Sequence, residues 1–415
     1  MEERIINPKR RIERALIIRG WTVIALCGLL LQSSLGWEEP YTAAFIGIGL
    51  PLSFLILSGI LYIWRLDCDE FILPIVSFLV GLGILELYRL RPAVAIKQLQ
   101  WVVLGFLVML FLVRIIDLRI VEFEKYKYIC GIGSVILLLI TVIFGKEAGG
   151  ARAWLAIGPF SFEPSEIVKI LLVIFMAGFL KENSALLAKP NLRYFGPIFL
   201  LWGAALIILI FQRDLGGAVL FYGTFLGMTY VATSSLIPVI TGLLLLIGGG
   251  GLSYLLFDHV KVRMAIWLNP WATATGTGYQ IVQSLFAMGS GGLFGSGMGQ
   301  GSPWLIPAVH TDFLFIALHE EIGMLGAIGI IIAYIILIER GFKIAIHVKD
   351  RFWQLVAAGL TSALALQVLT IIGGVTKLLP LTGVTLPFLS YGGTSIISNF
   401  IILGFLLGIS SREGL

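Results

Sequence analysis

The sequence predicts an all-α protein that crosses a membrane about twelve times, and three observations predict it. The chain of 415 residues is 58% hydrophobic and only 13% charged, with a mean hydropathy of +0.98. Soluble domains are about a quarter charged, so an ordinary soluble protein is excluded. Apolar stretches near the roughly 20 residues that span a bilayer as a helix recur along the chain. The alternating segments of about 10 residues that mark a membrane β-barrel do not recur.

Taken in order, the predicted spans are 15–34, 42–63, 71–88, 99–116, 128–144, 167–180, 194–211, 215–232, 236–257, 313–338, 353–373 and 394–410. The first lies in "NPKRRIERALIIRGWTVIALCGLLLQSS". It has a basic flank and an apolar core with no A-x-A site after it, so it reads as a retained helix and not a cleaved signal. The sixth is short, and only Gln212-Arg213-Asp214 separates the seventh from the eighth. Pro51 and Pro74 fall inside spans, where membrane helices tolerate kinks. Three cysteines give no disulfide framework; Cys27 and Cys130, in apolar spans, are expected to be buried thiols, and Cys68 falls in a short loop.

Basic residues set the expected orientation. With the N- and C-termini in the cytoplasm, 10 of the 29 Lys and Arg fall outside, in keeping with the positive-inside tendency. "ERGFKIAIHVKDR", Glu339 to Arg351, is the clearest cytoplasmic loop. Three long loops then lie outside: Gly145–Glu166, Asp258–Thr311 and Gly374–Gly393. They contain Trp, Phe, Leu and Pro and are expected to form a structured extracytoplasmic face. The net charge of +5 does not by itself indicate nucleic acid. The external Arg and Lys side chains read either as scatter or as a surface for a lipid phosphate.

Two stretches carry chemistry. "GSGGLFGSGMGQG", Gly289 to Gly301, permits close backbone approach and unusual φ angles, but it has neither a P-loop nor a dinucleotide-binding spacing. A phosphate cradle and a tight re-entrant turn are both open readings. "PAVHTDFLFIALHEEIG" places His310, Asp312, His319, Glu320 and Glu321 around the apolar run Phe313–Leu318. Carboxylates at the end of a membrane helix are costly unless hydrated, paired or used. Thr311 or Asp312 also suits a helix N-cap. "HEEIG" is not the zinc-binding HExxH, and no convincing metal-ligand cluster is present.

These stretches, with "NPWATATGTGYQIVQSLFAMGSGGLFGSGMGQG", "LPLTGVTLPFLSYGGTS", "GARAWLAIGPFSFEPSEIVKI" and "QRDLGGAV", resemble the SEDS family (shape, elongation, division and sporulation; RodA-, FtsW- and SpoVE-like proteins) in order and spacing. The resemblance covers roughly residues 71–412 and implies a ten-helix core. Residues 1–70, with the first two spans, then read as an N-terminal extension to a core at 71–415. The sequence departs from the family where Glu163-Pro164-Ser165-Glu166 stands for the common QPAE, where Arg152-Ala153-Trp154 displaces an arginine by one, and at Pro307-Ala308-Val309, Arg213 and Thr382.

The resemblance implies a peptidoglycan glycosyltransferase of the bacterial cytoplasmic membrane. It would polymerise lipid II on the outer face, beside a class B penicillin-binding protein that cross-links the strands. Other divisome or elongasome membrane proteins are further candidate partners. Asp312 is the implied catalytic residue, a general base for inverting glycosyl transfer, with His310 and Thr311 in its motif. Arg152 and Arg213, then Lys377 and Arg263, are candidates for the diphosphate; Ser390 and Tyr391, with Thr394 and Ser395, are candidates for sugar hydroxyls. Glu166 and Lys169, three apart, are expected to pair, and Glu320 and Glu321 to be buried hydrogen-bonding residues. No cofactor is identified; a divalent cation at the diphosphate is the alternative to the arginines. A lipid flippase, using Glu320 and Glu321 along a pathway, and a non-catalytic scaffold are the competing functions. The choice among elongation, division and sporulation stays open.

Overall fold

The computed structural model describes residues 8–35, 48–148, 151–158, 160–187 and 196–413. Among them, 79% are helical and 3% are in strands, so the all-α reading holds. Each predicted span corresponds to a helix in its described residues, with ends shifted by up to nine residues: α1 Pro8–Leu35, α2 Leu50–Ile63, α3 Ile72–Leu90, α4 Pro92–Asp117, α5 Lys127–Phe144, α6 Pro164–Leu187, α7 Gly196–Phe211, α8 Leu215–Thr233, α9 Ile237–Leu256, α12 Leu314–His347, α13 Arg351–Val375 and α14 Gly393–Glu413. Two more helices, α10 Asp258–Leu268 and α11 Tyr279–Gly291, lie within the long connection before α12. Among the described residues, nine helices are long and apolar enough to cross a membrane; α2 and residues 200–211 of α7 are shorter apolar helices, and α6 carries buried Glu166 and Lys169. This is a multi-pass membrane protein.

Two expectations need correction. The segment Glu339–Arg351 is mostly not a loop: α12 runs on to His347, and only Val348–Asp350 link it to α13. The expectation of burial for Cys27 and Cys130 also fails. Cys68 is buried, whereas Cys27 and Cys130 are half-exposed on helices. An apolar span in a membrane protein does not imply burial in protein, because its outer face meets lipid.

The chain divides into two compact units. The first comprises Met1–Arg114, Tyr279–Arg340 and Thr385–Leu415. Here α1 is tied to α3 by Trp21, whose indole N–H donates to Ser77 Oγ at 2.6 Å. Arg10 pairs with Glu13 and donates to the Leu66 carbonyl at 2.8 Å, which fastens the charged end of α1 within the unit. The rings of Phe54, Phe106 and Phe400 stack edge-on at 4.8 and 5.1 Å and form its core. At Gly83 a Cβ would strike the Leu389 backbone, so only glycine lets the segment before α14 approach α3 this closely.

The second unit comprises Ile115–Gly278 and Gly341–Val384. Its centre is α6, α8 and α13, with Gly359 of α13 packed among Val173 and Met228. Between α5 and α6 lies a three-stranded antiparallel sheet, β1 Lys146–Ala148, β2 Ala151–Ile157 and β3 Phe160–Phe162, in the order β1-β2-β3. The register pairs Lys146 with Trp154 and Leu155 with Phe162. The expectation of a structured segment here holds in its described residues.

Candidate active site

Asp312 sits in the turn that opens α12, two residues before the first helical residue. Ala308, at φ +52°, starts the turn, and its carbonyl accepts from Thr311 N (3.1 Å), Thr311 Oγ1 (3.0 Å) and Asp312 N (3.3 Å). Phe313 and Leu314 are buried and fix the turn to the unit's core, while Asp312, Thr311 and His310 stay half-buried. An apolar anchor directly after a polar triad holds the carboxylate at the helix end and keeps it accessible.

The segment before α14 meets this turn. Tyr391 N donates to the His310 carbonyl at 3.0 Å, and the two rings lie 6.1 Å apart. Buried Gln98 of α4 clamps the same segment, donating to the Ser390 carbonyl at 3.1 Å and accepting from Gly392 N at 3.3 Å. Ser390 Oγ is buried with no hydrogen-bond partner among the described residues. Burial, and then the Arg91 charge, holds His310 below the ordinary histidine range. Thr385 Oγ1 donates to Ser395 Oγ at 2.7 Å, so Ser395 braces the backbone of this segment.

Glu320 and Glu321 hold the glycine-rich loop. Their carbonyls accept from Ser296 N (2.9 Å) and Gly297 N (3.1 Å). The Glu320 carboxylate accepts from Ser302 N at 3.0 Å, and that of Glu321 from Gly301 N at 3.4 Å. Further along, Met324 N and Leu325 N donate to the carbonyls of Gly292 and Leu293. α12 is broken at Gly323 (φ 71°, ψ −176°), where the loop backbone presses against it. Backbone packed against a membrane span must find its partners in protein, and these bonds supply them. Gly292–Gly301 is therefore a tight turn fastened to α12. His319 hydrogen-bonds the Met288 backbone and joins α11 to the same helix.

Arg89 of α3 completes the arrangement. Its guanidinium pairs with Glu321, lies 3.2 Å from Glu86 and donates to the Gly301 carbonyl at 2.9 Å. Arg89, Glu86 and Glu321 have almost wholly buried side chains. Nothing in local sequence spacing links Arg89 to Gly301, 212 positions away.

The second unit carries the other candidates. Glu166 and Lys169 form a buried pair at 2.5 Å, and Lys169 also donates to Gln367 at 2.9 Å. Asp214 caps α8 through Gly217 N at 2.9 Å; burial raises its pKa, against the opposing pull of that bond and of Arg263. Glu163 is pushed up to about 8 by burial first and then by the charges of Glu166 and Asp214. Its neutral form is thus favoured in the folded protein. The stability this confers is full below about pH 4.5 and is lost as pH rises towards about 8. Glu163→Gln is therefore expected to raise the melting temperature at about pH 9 and leave it nearly unchanged at about pH 4. Identical melting curves for the two proteins at alkaline pH would contradict this assignment.

Arg263 Nη1 donates to the carbonyls of Leu381 (3.1 Å) and Thr382 (3.2 Å) and lines an apolar cavity of about 790 Å³ with Tyr222, Tyr254, Met264 and Gly249–Gly251. Arg213 is exposed at φ +62°, 3.9 Å from Glu147. Arg152 is exposed and turned back on the strand hairpin, its Nε donating to the Gly145 carbonyl at 2.8 Å. Lys377, at φ +63°, presents its carbonyl to the Trp267 indole at 3.3 Å. The structure adds His259, whose buried Nε2 has no hydrogen-bond partner among the described residues and whose ring feels the charges of Arg263 and Arg213. No group of three His, Cys, Asp or Glu is placed to hold a metal ion among the described residues.

Fold and site together define a helical membrane protein with a half-buried carboxylate at the end of one span. The family model for FtsW, RodA and SpoVE, described as "Cell cycle protein", matches residues 70–414, and this chain belongs to that family. It is 36% identical to the peptidoglycan glycosyltransferase RodA of Mycobacterium tuberculosis, over 97% of this chain and 91% of that protein. It is 36% identical to stage V sporulation protein E of Bacillus subtilis, over 76% and 86%. Among solved structures, a chain from a peptidoglycan synthase complex that coordinates polymerization and crosslinking superposes with a TM-score of 0.70 at 25% identity, over 83% of this chain and 98% of that one. The rod shape determining protein RodA of Thermus thermophilus superposes at 0.62 with 26% identity, over 83% and 96%.

Proposed function

We infer that this chain is a peptidoglycan glycosyltransferase that polymerises lipid II into glycan strands, serving cell shape, division or sporulation. The observation that carries the reading is Asp312: a half-buried carboxylate in the His310–Phe313 motif, in the turn that opens α12, where the neighbouring His310 carbonyl accepts from Tyr391 N. The reaction joins a sugar 4-hydroxyl to the anomeric carbon of the lipid-linked donor and inverts that carbon. A single displacement needs a base for the hydroxyl proton and stabilisation of the departing diphosphate. Asp312 takes the proton. His310, Thr311, Ser390 and Tyr391 contact the sugars, and Arg213 and Arg263, with Arg152 and Lys377, serve the diphosphate.

The apolar cavity beside Arg263 supports an amphiphilic donor, with its chain against hydrocarbon and its charge at a guanidinium. Glu320 and Glu321 are occupied in holding a loop, which leaves the flippase reading without its pathway carboxylates. Residues 1–70 are an addition to the catalytic core, and the partner is a class B penicillin-binding protein. Purified protein with lipid II and that transpeptidase should yield glycan strands. Absence of polymer with active partner would sink the reading, and chelation of divalent cations in the same assay separates arginine from metal stabilisation.

The active face is proposed to lie outside the bacterial cytoplasmic membrane, with both termini inside. Cysteine placed at exposed Asn269 is expected to react with an impermeant thiol reagent in spheroplasts, and cysteine at exposed Ile346 is not. The opposite labelling would put the chemistry on the wrong side.

A further inference from the structure

We propose that His259 is a third ligand of the donor diphosphate, alongside Arg213 and Arg263; this deepens the glycosyltransferase reading and rests on it. Three observations converge on the residue. Its Nε2 is buried without a hydrogen-bond partner among the described residues, and leaving such an atom unmatched is unfavourable. Two arginines lie close enough for their charges to act on the imidazole, Arg263 from one turn further along α10 and Arg213 from the turn before α8. Protonation of this ring beside two guanidiniums is unfavourable unless the three share an anion. Finally, Val260, next to His259, and Arg263 both line the apolar cavity, so an anion held here would sit beside an apolar surface suited to a hydrocarbon chain.

The charges facing His259 fix the direction of its response. Burial and then the positive charges of Arg263 and Arg213 hold its pKa below the ordinary value, against a smaller opposing effect from exposed Asp258. Arg213 is in turn 3.9 Å from Glu147, and Arg263 is under the influence of Asp214. The imidazole is therefore neutral at neutral pH in the unliganded protein. An arriving diphosphate reverses the local field and favours the imidazolium, whose Nε2–H then donates to a non-bridging oxygen. Binding takes up one proton from solvent. As the C1–O bond of the donor breaks, its electron pair goes to the diphosphate, while the acceptor hydroxyl proton goes to Asp312. His259 stabilises the leaving group and transfers no proton.

Farnesyl diphosphate is a short, soluble probe of this site, and farnesyl alcohol is its uncharged control. Wild-type protein in detergent is expected to bind the diphosphate about tenfold more tightly at about pH 6 than at about pH 8, and the alcohol equally at both. His259→Gln, which keeps a donor and cannot titrate, should bind with little pH dependence. His259→Leu should lose about tenfold in affinity at about pH 6 and raise KM for lipid II by a similar factor, with a smaller change in kcat. Unchanged binding and unchanged pH dependence in His259→Leu would overturn the proposal. If that result accompanies weakened binding in Arg263→Ala and polymer formation by the wild type, the failure concerns His259 alone. If the wild type makes no polymer, the glycosyltransferase reading itself has failed.

Discussion

Replacing Asp312 by asparagine is expected to slow glycan polymerisation by about 100- to 10,000-fold while membrane insertion, melting temperature and lipid II binding stay near wild type. Asparagine has nearly the size of aspartate but cannot accept a proton at neutral pH, so the substitution tests chemistry more than packing. The residue stands in a turn whose geometry comes from the Ala308 carbonyl and from buried Phe313 and Leu314. Glu320→Gln is the comparison. Its carboxylate accepts from Ser302 N within the loop, so that change should lower stability and activity together. A single-turnover assay with lipid II, paired with a melting curve in detergent, separates the two behaviours. Polymerisation by Asp312→Asn at the wild-type rate would remove Asp312 as the base.

Arg89→Met is expected to destabilise the first unit by about 3–5 kcal/mol and to lower polymerisation with it. The guanidinium is the counter-ion of Glu321 and Glu86 and also holds the Gly301 carbonyl, all with almost no exposure of the side chains involved. Glu86 Oε2, Glu320 Oε2 and Glu321 Oε2 already lack hydrogen-bond partners among the described residues, so the cluster has no spare donor to replace it. Removing one member of a buried pair strands the other, which is why the loss exceeds the net worth of the pair. Adding Glu321→Gln to Arg89→Met removes one of the stranded charges and should recover part of the melting temperature. Arg89→Lys keeps the charge but not the planar fork and should fall between. A melting curve for Arg89→Met that overlays the wild type would show that the pair carries no stability.

The spans were legible because the bilayer imposes them: a run of about 20 apolar residues has few other uses. The Glu166–Lys169 pair was legible through helical spacing, because that signal is local. The twofold reading of the glycine-rich loop, as phosphate cradle or re-entrant turn, was decided only by the tertiary structure. Its partners are Glu320, Glu321, Met324 and Leu325, and sequence periodicity does not say which carbonyl an unpaired N–H will find.

The same limit hid Gln98 beneath Ser390, 292 positions away, and Arg89 beneath Gly301. His259 gave no motif at all; its interest comes from a buried atom without a partner among the described residues and from the Arg213 charge, brought to bear by folding beside that of Arg263 on the same helix. The cysteines failed for a related reason. Hydropathy measures how well a residue tolerates an apolar medium, and in this protein that medium is lipid on one helix face and protein on the other. The sequence by itself determined where the chain crosses the membrane and which carboxylate belongs to the family motif. The tertiary structure decided which buried charges meet, because a hydrogen bond acts over about 3 Å in space and is indifferent to distance along the chain.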